Sequence, residues 1–498
     1  MRTVRAWAGR AWRPWAGSAL AGLLAATGQA PLGLWGLTLL ALLWLINGQA
    51  AATGWRDRLW RGWAAGAGYF AGTLFWITEP FMVDAARDGW MAPFALVLMA
   101  GGMALFWMLA AAVAGLGRSP VARAFGFAMG LAASDLLRGY IFTGFPWALV
   151  GHVWINTPVA QWAAFIGPAG LSILTVALAL LPVATGRATA ARSALALLVL
   201  AGLWLGGMAR LARPEAPRDP SVRVRLVQPN ATQALKWQPG MWELFLDRQM
   251  DANAAPAEVP LDLIIWPETA VPYLLEDAGF IFDEAREASG NVPMLLGIQR
   301  AEGALYFNSL VVLDRGGAVI ASYDKHHLVP FGEYVPFGDQ MARFGISAFA
   351  AQAGNGYSAG PGGQVLDLGR AGKVLPLICY EAVFPQDLRT AERADWIVQV
   401  TNDGWFGNLA GPWQHLAQAR LRAIEQGLPL LRAANTGITA VIDAKGRVLQ
   451  SLPLNSDGWL DADVPPSLAT TAYARYGDMP ATMLLGLSIL VLFRRRRG

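Results

Sequence analysis

The chain has almost nothing with which to close a disulfide or hold a metal. It carries one cysteine, Cys379, and four histidines, His152, His326, His327 and His415, in 498 residues. One cysteine cannot form an internal disulfide, and neither CxxC nor HExxH spacing occurs, so no metal site and no cofactor are expected. Charge is scarce too. Asp, Glu, Lys and Arg make up 15% of the chain, against about 25% in an ordinary soluble domain. The shortage falls mainly on the first 210 residues, and charge returns to normal density afterwards. That shift divides the chain into a membrane part and a globular part. The net charge is +4, but the arginines stand at the ends of apolar runs and form no basic patch interleaved with aromatics. A membrane, not a nucleic acid, is the partner this pattern fits.

What is present instead is long apolar runs. No charged residue lies between Arg13 and Arg56. GQAP at 28–31 breaks this stretch, and a membrane helix takes ~20 residues, so it reads as two helices and a tight turn. Further charge-poor runs cover 62–78, 89–117, 159–186 and 193–209, with a weaker one at 120–137 and a last one at 479–493. Residues 1–212 are therefore expected to form a bundle of seven helices. Residues 478–498 are expected to give an eighth helix and a basic tail. A cleaved signal peptide is the alternative for the first run, but a second run follows at once and no clear small-residue cleavage site precedes it. With the N-terminus inside, the inner segments hold Arg2 to Arg13, Arg56 to Arg61, Arg118 and Arg123, Arg187 and Arg192, and Arg494 to Arg497, whereas the outer short loops hold Arg87 and Arg138. This bias puts the segment before the last helix on the outer face, the periplasm of a bacterial inner membrane. Asp135 and Arg138 share a helix face, either as an ion pair or as a headgroup contact. The aromatic, Gly-rich stretch 138–152 is expected to lie at the membrane interface.

Residues 220–465 suffice for one large α/β domain. Strand-like runs occur at 222–228, 261–267, 293–299, 307–314, 318–324, 373–380, 396–402 and 439–444, with helical stretches at 240–254, 275–289 and 411–427. Gly316–Gly317 and Lys445–Gly446 suggest hairpins. Together these imply a mixed sheet with helices on its outer faces. The long segment 332–360 is Gly-rich and apolar. It is expected to be a lid, with Phe331, Phe337, Phe344 and Phe349 able to dip into lipid, or else a satellite packing element.

Three strand-like runs end in groups capable of chemistry. LDLIIWPE ends in Glu268, AVIASYDK in Lys325, and VLPLIC in Cys379, followed by Tyr380 and Glu381. A carboxylate able to take the thiol proton, an ammonium able to stabilise an oxyanion and a nucleophilic sulfur make an acyl-transfer set, with the Tyr380 N–H as a further oxyanion donor. Taken singly, each has a plain alternative: a core cysteine, a surface carboxylate, a solvated lysine. A Cys–His dyad with His326 or His327 is disfavoured, since neighbours on an extended chain point to opposite faces and neither has an obvious orienting partner.

At WPET (266–269), YDKHHLVPFGEYVPF (323–337) and ICYE (378–381) the sequence resembles the nitrilase superfamily. TNDGWFG (401–407), GPWQH (411–415), RAANTG (432–437) and the flanking membrane helices narrow the resemblance to the apolipoprotein N-acyltransferase family. The resemblance implies a membrane α-helical bundle plus an α/β nitrilase-like αββα sandwich, with Glu268, Lys325 and Cys379 as the triad. It also implies Glu333, Tyr380 and Glu381 as supporting residues and Trp237 in LKWQP as a substrate contact. The implied reaction is ping-pong. An acyl chain passes from a phospholipid, phosphatidylethanolamine by preference, to Cys379 as a thioester, and then to the N-terminal amine of a diacylglyceryl-cysteine apolipoprotein. A monomer is expected. The alternatives are a membrane-tethered amidase acting on a small amide and a non-catalytic scaffold.

Overall fold

In hydrocarbon every backbone N–H and C=O must be paired within its own segment, so long apolar runs become helices. The computed structural model describes residues 2–183, 189–236, 238–336, 356–390 and 392–497. They fall into two units, 1–213 with 409–417 and 472–498, and 214–408 with 418–471.

The first unit holds α1 (Arg2–Ala26), α2 (Trp35–Ala51), α3 (Trp55–Thr73), α4 (Ala92–Ala114), α5 (Pro120–Arg138), α6 (Ala163–Leu180), α7 (Thr189–Ala212) and the C-terminal helix Met479–Arg497. These long helices lie on the eight apolar runs. Three stretches, Ala85–Ala114, Pro158–Leu180 and Thr189–Ala212, are long and apolar enough to cross a membrane, and Pro14–Ala26, Trp35–Ala51 and Met479–Leu492 are shorter apolar helices. The shaft of α7 exposes Leu195, Leu197, Leu198 and Leu205, a face suited to lipid. The α5 N-terminus is closed by Ser119, whose hydroxyl accepts the Ala122 N–H at 3.1 Å, with Pro120 in the first turn, the usual chemistry of a helix start. Helices α1 and α3 approach through glycine: a Cβ on Gly22 would sit 1.9 Å from the Ala65 carbonyl oxygen, and one on Gly68 2.0 Å from that of Ala19. Small residues at such crossings let backbones touch where lipid gives no hydrophobic drive to associate.

Asp135 and Arg138 form a fully buried ion pair at 3.1 Å. Asp135 also accepts the Val150 N–H at 2.7 Å and the Ser172 hydroxyl at 2.8 Å, and Arg138 donates to the carbonyls of Phe145 and Trp147. The pair therefore fixes the loop after α5 through these bonds. The stretch 138–152 divides in two. Tyr140 and Phe142 are exposed, but 147–152 is buried, because the Asp135–Arg138 pair supplies the partners that its backbone needs. Residues 409–417 also belong to this unit. There the Gln414 carbonyl accepts the indole N–H of Trp76 at 3.1 Å and of Trp147 at 2.7 Å, and its amide donates to the Thr73 carbonyl at 3.1 Å.

The second unit contains two six-stranded sheets, where the strand pattern alone implied one. The first runs β12 (Gly458–Asp463), β1 (Arg223–Gln228), β2 (Leu263–Ile265), β3 (Met294–Glu302), β4 (Leu305–Leu313), β5 (Val319–Asp324). The second runs β11 (Val448–Ser451), β10 (Ala440–Ile442), β9 (Leu430–Ala434), β8 (Trp396–Thr401), β7 (Lys373–Ile378), β6 (Leu366–Asp367). Each has three parallel central strands, β1–β2–β3 and β7–β8–β9, with antiparallel strands outside them. The expected hairpins join β4 to β5 and β10 to β11. The sheets meet through β1 against β9 and β4 against β7. Helices α8 (Met241–Ala254) and α9 (Gly279–Ala288) bury Leu246, Met250, Ile281 and Phe282 against Ile264, Leu296 and Val311 of the first sheet. Helix α10 (Gly411–Gln426) follows β8 and leads to β9. This is a nitrilase-like fold. Its parallel strands deliver their carboxyl ends to one edge, where sites form in such sheets.

Candidate active site

Each of the three chemical groups follows a strand end. Glu268 comes three residues after β2, Lys325 directly after β5, and Cys379 directly after β7. The Lys325 ammonium lies 3.5 Å from Glu268 Oε1 and 2.8 Å from Glu333 Oε1. Asn308, within β4, donates from one amide nitrogen to both carboxylates, at 2.7 Å to Glu268 and 3.1 Å to Glu333. The other oxygen of Glu268 accepts the Asn402 N–H at 2.8 Å, and the other oxygen of Glu333 accepts the Val329 N–H at 2.8 Å. All of these side chains are buried. The expected lid begins and ends beside this cluster: Tyr334 bridges Gly356, and the Tyr357 N–H donates to the Glu333 carbonyl at 2.8 Å. Residues 337–355, with Phe337, Phe344 and Phe349, lie outside the described residues, as does Trp237.

Cys379 has φ +50°, in the left-handed region that a residue with a side chain seldom enters. Such backbone persists at sites where the surroundings over-determine it. The surroundings here are specific. Gln399 donates to the Cys379 carbonyl at 3.1 Å, Arg432 donates to Gln399 at 2.6 Å, and Arg432 is paired with Asp403. The thiol is within hydrogen-bonding reach of Thr401, whose hydroxyl donates to Asp403 at 3.0 Å. Glu381 is wholly buried. One of its oxygens accepts the Ile378 N–H at 2.7 Å; the other accepts the His326 N–H and the Tyr323 hydroxyl, each at 2.8 Å.

The electrostatics follow from these contacts. Burial pushes the Cys379 thiol well above its ordinary pKa, the Glu268 carboxylate adds to that, and Lys325 opposes it. The sulfur is therefore protonated at neutral pH. Burial alone would lower the Lys325 pKa, but Glu333, then Glu268, outweigh it and keep the ammonium charged. A thiol that holds its proton until attack, a carboxylate to receive that proton and a permanent cation beside them can form and break a tetrahedral acyl intermediate.

Sequence reasoning missed the orienting partners of the two histidines. His326 lies 2.7 Å from Glu381 and 3.3 Å from Asp387, and His327 lies 2.7 Å from Asp387. Burial would depress His326, but Asp387 and Glu381 outweigh it and bring its pKa up to about 10. His326, His327 and Asp387 gather ligand-type atoms within 4.8 Å, and the ion pairs with Asp387 account for their closeness. Asn308 was missed as well. Its only signal was an amide near the start of an otherwise β-favouring run, FNSLVVL.

Residues 223–474 match the carbon–nitrogen hydrolase family, and residues 21–181 match the apolipoprotein N-acyltransferase N-terminal domain. The chain is 40% identical over 510 residues to an apolipoprotein N-acyltransferase of Caulobacter vibrioides, with 98% of this chain and 96% of that protein covered. It is 37% identical to one of Rhodopseudomonas palustris, with 96% and 94% covered. A solved amidase from Nesterenkonia sp. matches at 20% identity and a TM-score of 0.37, over 54% of this chain and 98% of that one.

Proposed function

The chain belongs to the apolipoprotein N-acyltransferase family of the nitrilase superfamily, and from that premise we propose that Cys379 carries an acyl group between a phospholipid and a lipoprotein N-terminus. In the first half-reaction the thiol gives its proton to Glu268 as the sulfur attacks the ester carbonyl. The oxyanion forms beside Lys325 and the Tyr380 N–H. Collapse breaks the ester C–O bond, Glu268 returns the proton to the departing alkoxide, and a lysophospholipid leaves. In the second half-reaction the α-amine of a diacylglyceryl-cysteine attacks the thioester, Glu268 takes its proton, and collapse to the amide expels the sulfur, which recovers its proton from Glu268. No cofactor enters. Water must be kept from the thioester between the two steps, a role assigned to the segment 332–360, with Trp237 as a substrate contact.

The observation that carries this reading is the placement of one ammonium, Lys325, against two buried carboxylates beside the protonated thiol. A cation so held cannot titrate away as the reaction proceeds. As a membrane protein with helices on both sides of the catalytic segment, the chain reaches acyl-bearing substrates directly. The arginine bias supports an inner-membrane location with the catalytic unit in the periplasm; a monomer carries every residue this mechanism uses.

The test supplies purified protein with phosphatidylethanolamine labelled in its acyl chains and a synthetic diacylglyceryl-cysteine peptide. The expected result is transfer of label to the peptide amine, abolished by Cys379→Ala. Hydrolysis of small amides without transfer to the peptide would instead establish an amidase.

A further inference from the structure

The turn that presents Glu268 is strained at its next residue. Thr269 has φ +45°, a region that a β-branched side chain rarely occupies. One wall of this turn is backbone. Gly297 of β3 donates to the Pro267 carbonyl at 3.2 Å and accepts the Ala270 N–H at 2.8 Å, and a Cβ on Gly297 would lie 2.6 Å from the Glu268 Cα. The other wall is a lysine. The Lys236 ammonium donates to the Thr269 hydroxyl at 2.7 Å and reaches the Glu268 carbonyl at 3.4 Å, with the whole side chain buried.

Lysine is almost never fully buried unless it is paired. A neutral amide could make these two hydrogen bonds at lower desolvation cost; what the ammonium adds is attraction to the Glu268 carboxylate. We infer that Lys236 is a positioning residue for the catalytic base. Its ammonium locks the Glu268–Thr269 turn in its left-handed form and stands as a second cation near the Glu268 carboxylate. This rests on the assignment of Glu268 as the base. Burial pushes the Lys236 ammonium down to about 8, and Glu268 pulls the other way. Glu268 is thus a charge that favours the protonated form of Lys236. The pairing is therefore fullest well below pH 8 and weakens as pH rises through that value.

The experiment measures single-turnover acylation of Cys379 by phosphatidylethanolamine vesicles from pH 6 to 9.5, which avoids titration of the acceptor amine. The wild type should lose rate above about pH 8. Lys236→Arg, which stays charged, should keep the rate within about tenfold and move that loss to higher pH. Lys236→Met should lose about 30- to 100-fold with no break near pH 8. Thr269→Gly accepts the left-handed backbone freely, so in that background Lys236→Met should cost several-fold less. A Lys236→Met protein with the wild-type rate and the same alkaline break overturns the inference, as does an equal cost with and without Thr269→Gly. Glu268→Gln separates the two levels. If it remains active, the base assignment itself fails. If it is inactive while Lys236→Met behaves as wild type, only the role of Lys236 is lost.

Discussion

Glu381 accepts the His326 N–H at 2.8 Å with one carboxylate oxygen, while its other oxygen holds the Ile378 N–H at 2.7 Å. His326 follows Lys325 and Ile378 precedes Cys379. A single buried carboxylate thus sets the spacing between the strand ends that carry the ammonium and the thiol. Catalytic geometry is sensitive on the ångström scale, so this connection has a kinetic signature. Glu381→Gln replaces an acceptor by a donor facing backbone N–H groups, which costs about 1–3 kcal/mol for the group left unsatisfied. The acylation rate should fall roughly 100-fold or more, with only a modest drop in melting temperature, read by time-resolved intact mass. An unchanged rate would remove Glu381 from the positioning machinery.

The pH behaviour of the thiol follows from its neighbours. Its folded pKa is raised above the ordinary value near 9.0, chiefly by burial and then by Glu268. Alkylation of Cys379 by iodoacetamide should therefore keep climbing past pH 9 without a plateau. Glu268→Gln removes a negative charge and should label faster than wild type at the same pH while failing to transfer acyl groups. Lys325→Met removes the opposing cation and should label more slowly. The stability linkage has the matching sign. Above pH 9 the unfolded chain releases a proton that the folded thiol keeps, so this group's contribution is present below that pH and declines as pH rises.

Asn308 has one amide nitrogen for two carboxylates. Asn308→Leu should leave Glu268 and Glu333 to compete for Lys325 alone. Acylation should slow by about ten- to a hundredfold, in line with a loss of about 1–3 kcal/mol. Asn308→Asp should be worse, because it adds a third negative charge. Steady-state rates in mixed micelles, with melting temperatures alongside, check the order; equal effects of the two substitutions would contradict it.

In the helical unit, Gln414 meets three buried partners, Trp76, Trp147 and the Thr73 carbonyl. Gln414→Leu orphans all three and should cost about 2–4 kcal/mol. Gln414→Glu keeps an acceptor for both indoles and should cost less. Thermal unfolding in detergent distinguishes the two. Identical melting temperatures for both variants and wild type would show that these bonds carry no stability.

Much of this is legible in the chain itself. The helices follow from charge-free runs, and the proposed triad is picked out from strands that end in Glu268, Lys325 and Cys379. What could not be read depends on contacts distant in sequence. Glu381 finds His326 across 55 positions and Asp387 finds His327 across 60, so no local spacing announces either pair. One central strand of the second sheet was hidden for a similar reason. β9 (Leu430–Ala434) contains Arg432, and a charged residue in a short run reads as surface until Gln399 and Asp403 are seen to pair with it. The burial of 147–152 was not legible either, because the Asp135–Arg138 pair that draws it inward acts through backbone groups invisible to composition.

The central claim is that the Cys379 sulfur bears the acyl group in transit. Intact-protein mass spectrometry after incubation with phosphatidylethanolamine vesicles, without acceptor, tests it most directly. The account predicts a mass gain of one acyl chain that hydroxylamine removes, that maps to the peptide containing Cys379, and that is missing in Cys379→Ala and in Glu268→Gln. Acyl transfer to a diacylglyceryl-cysteine peptide by protein that never acquires this adduct, or by Cys379→Ala, would contradict it.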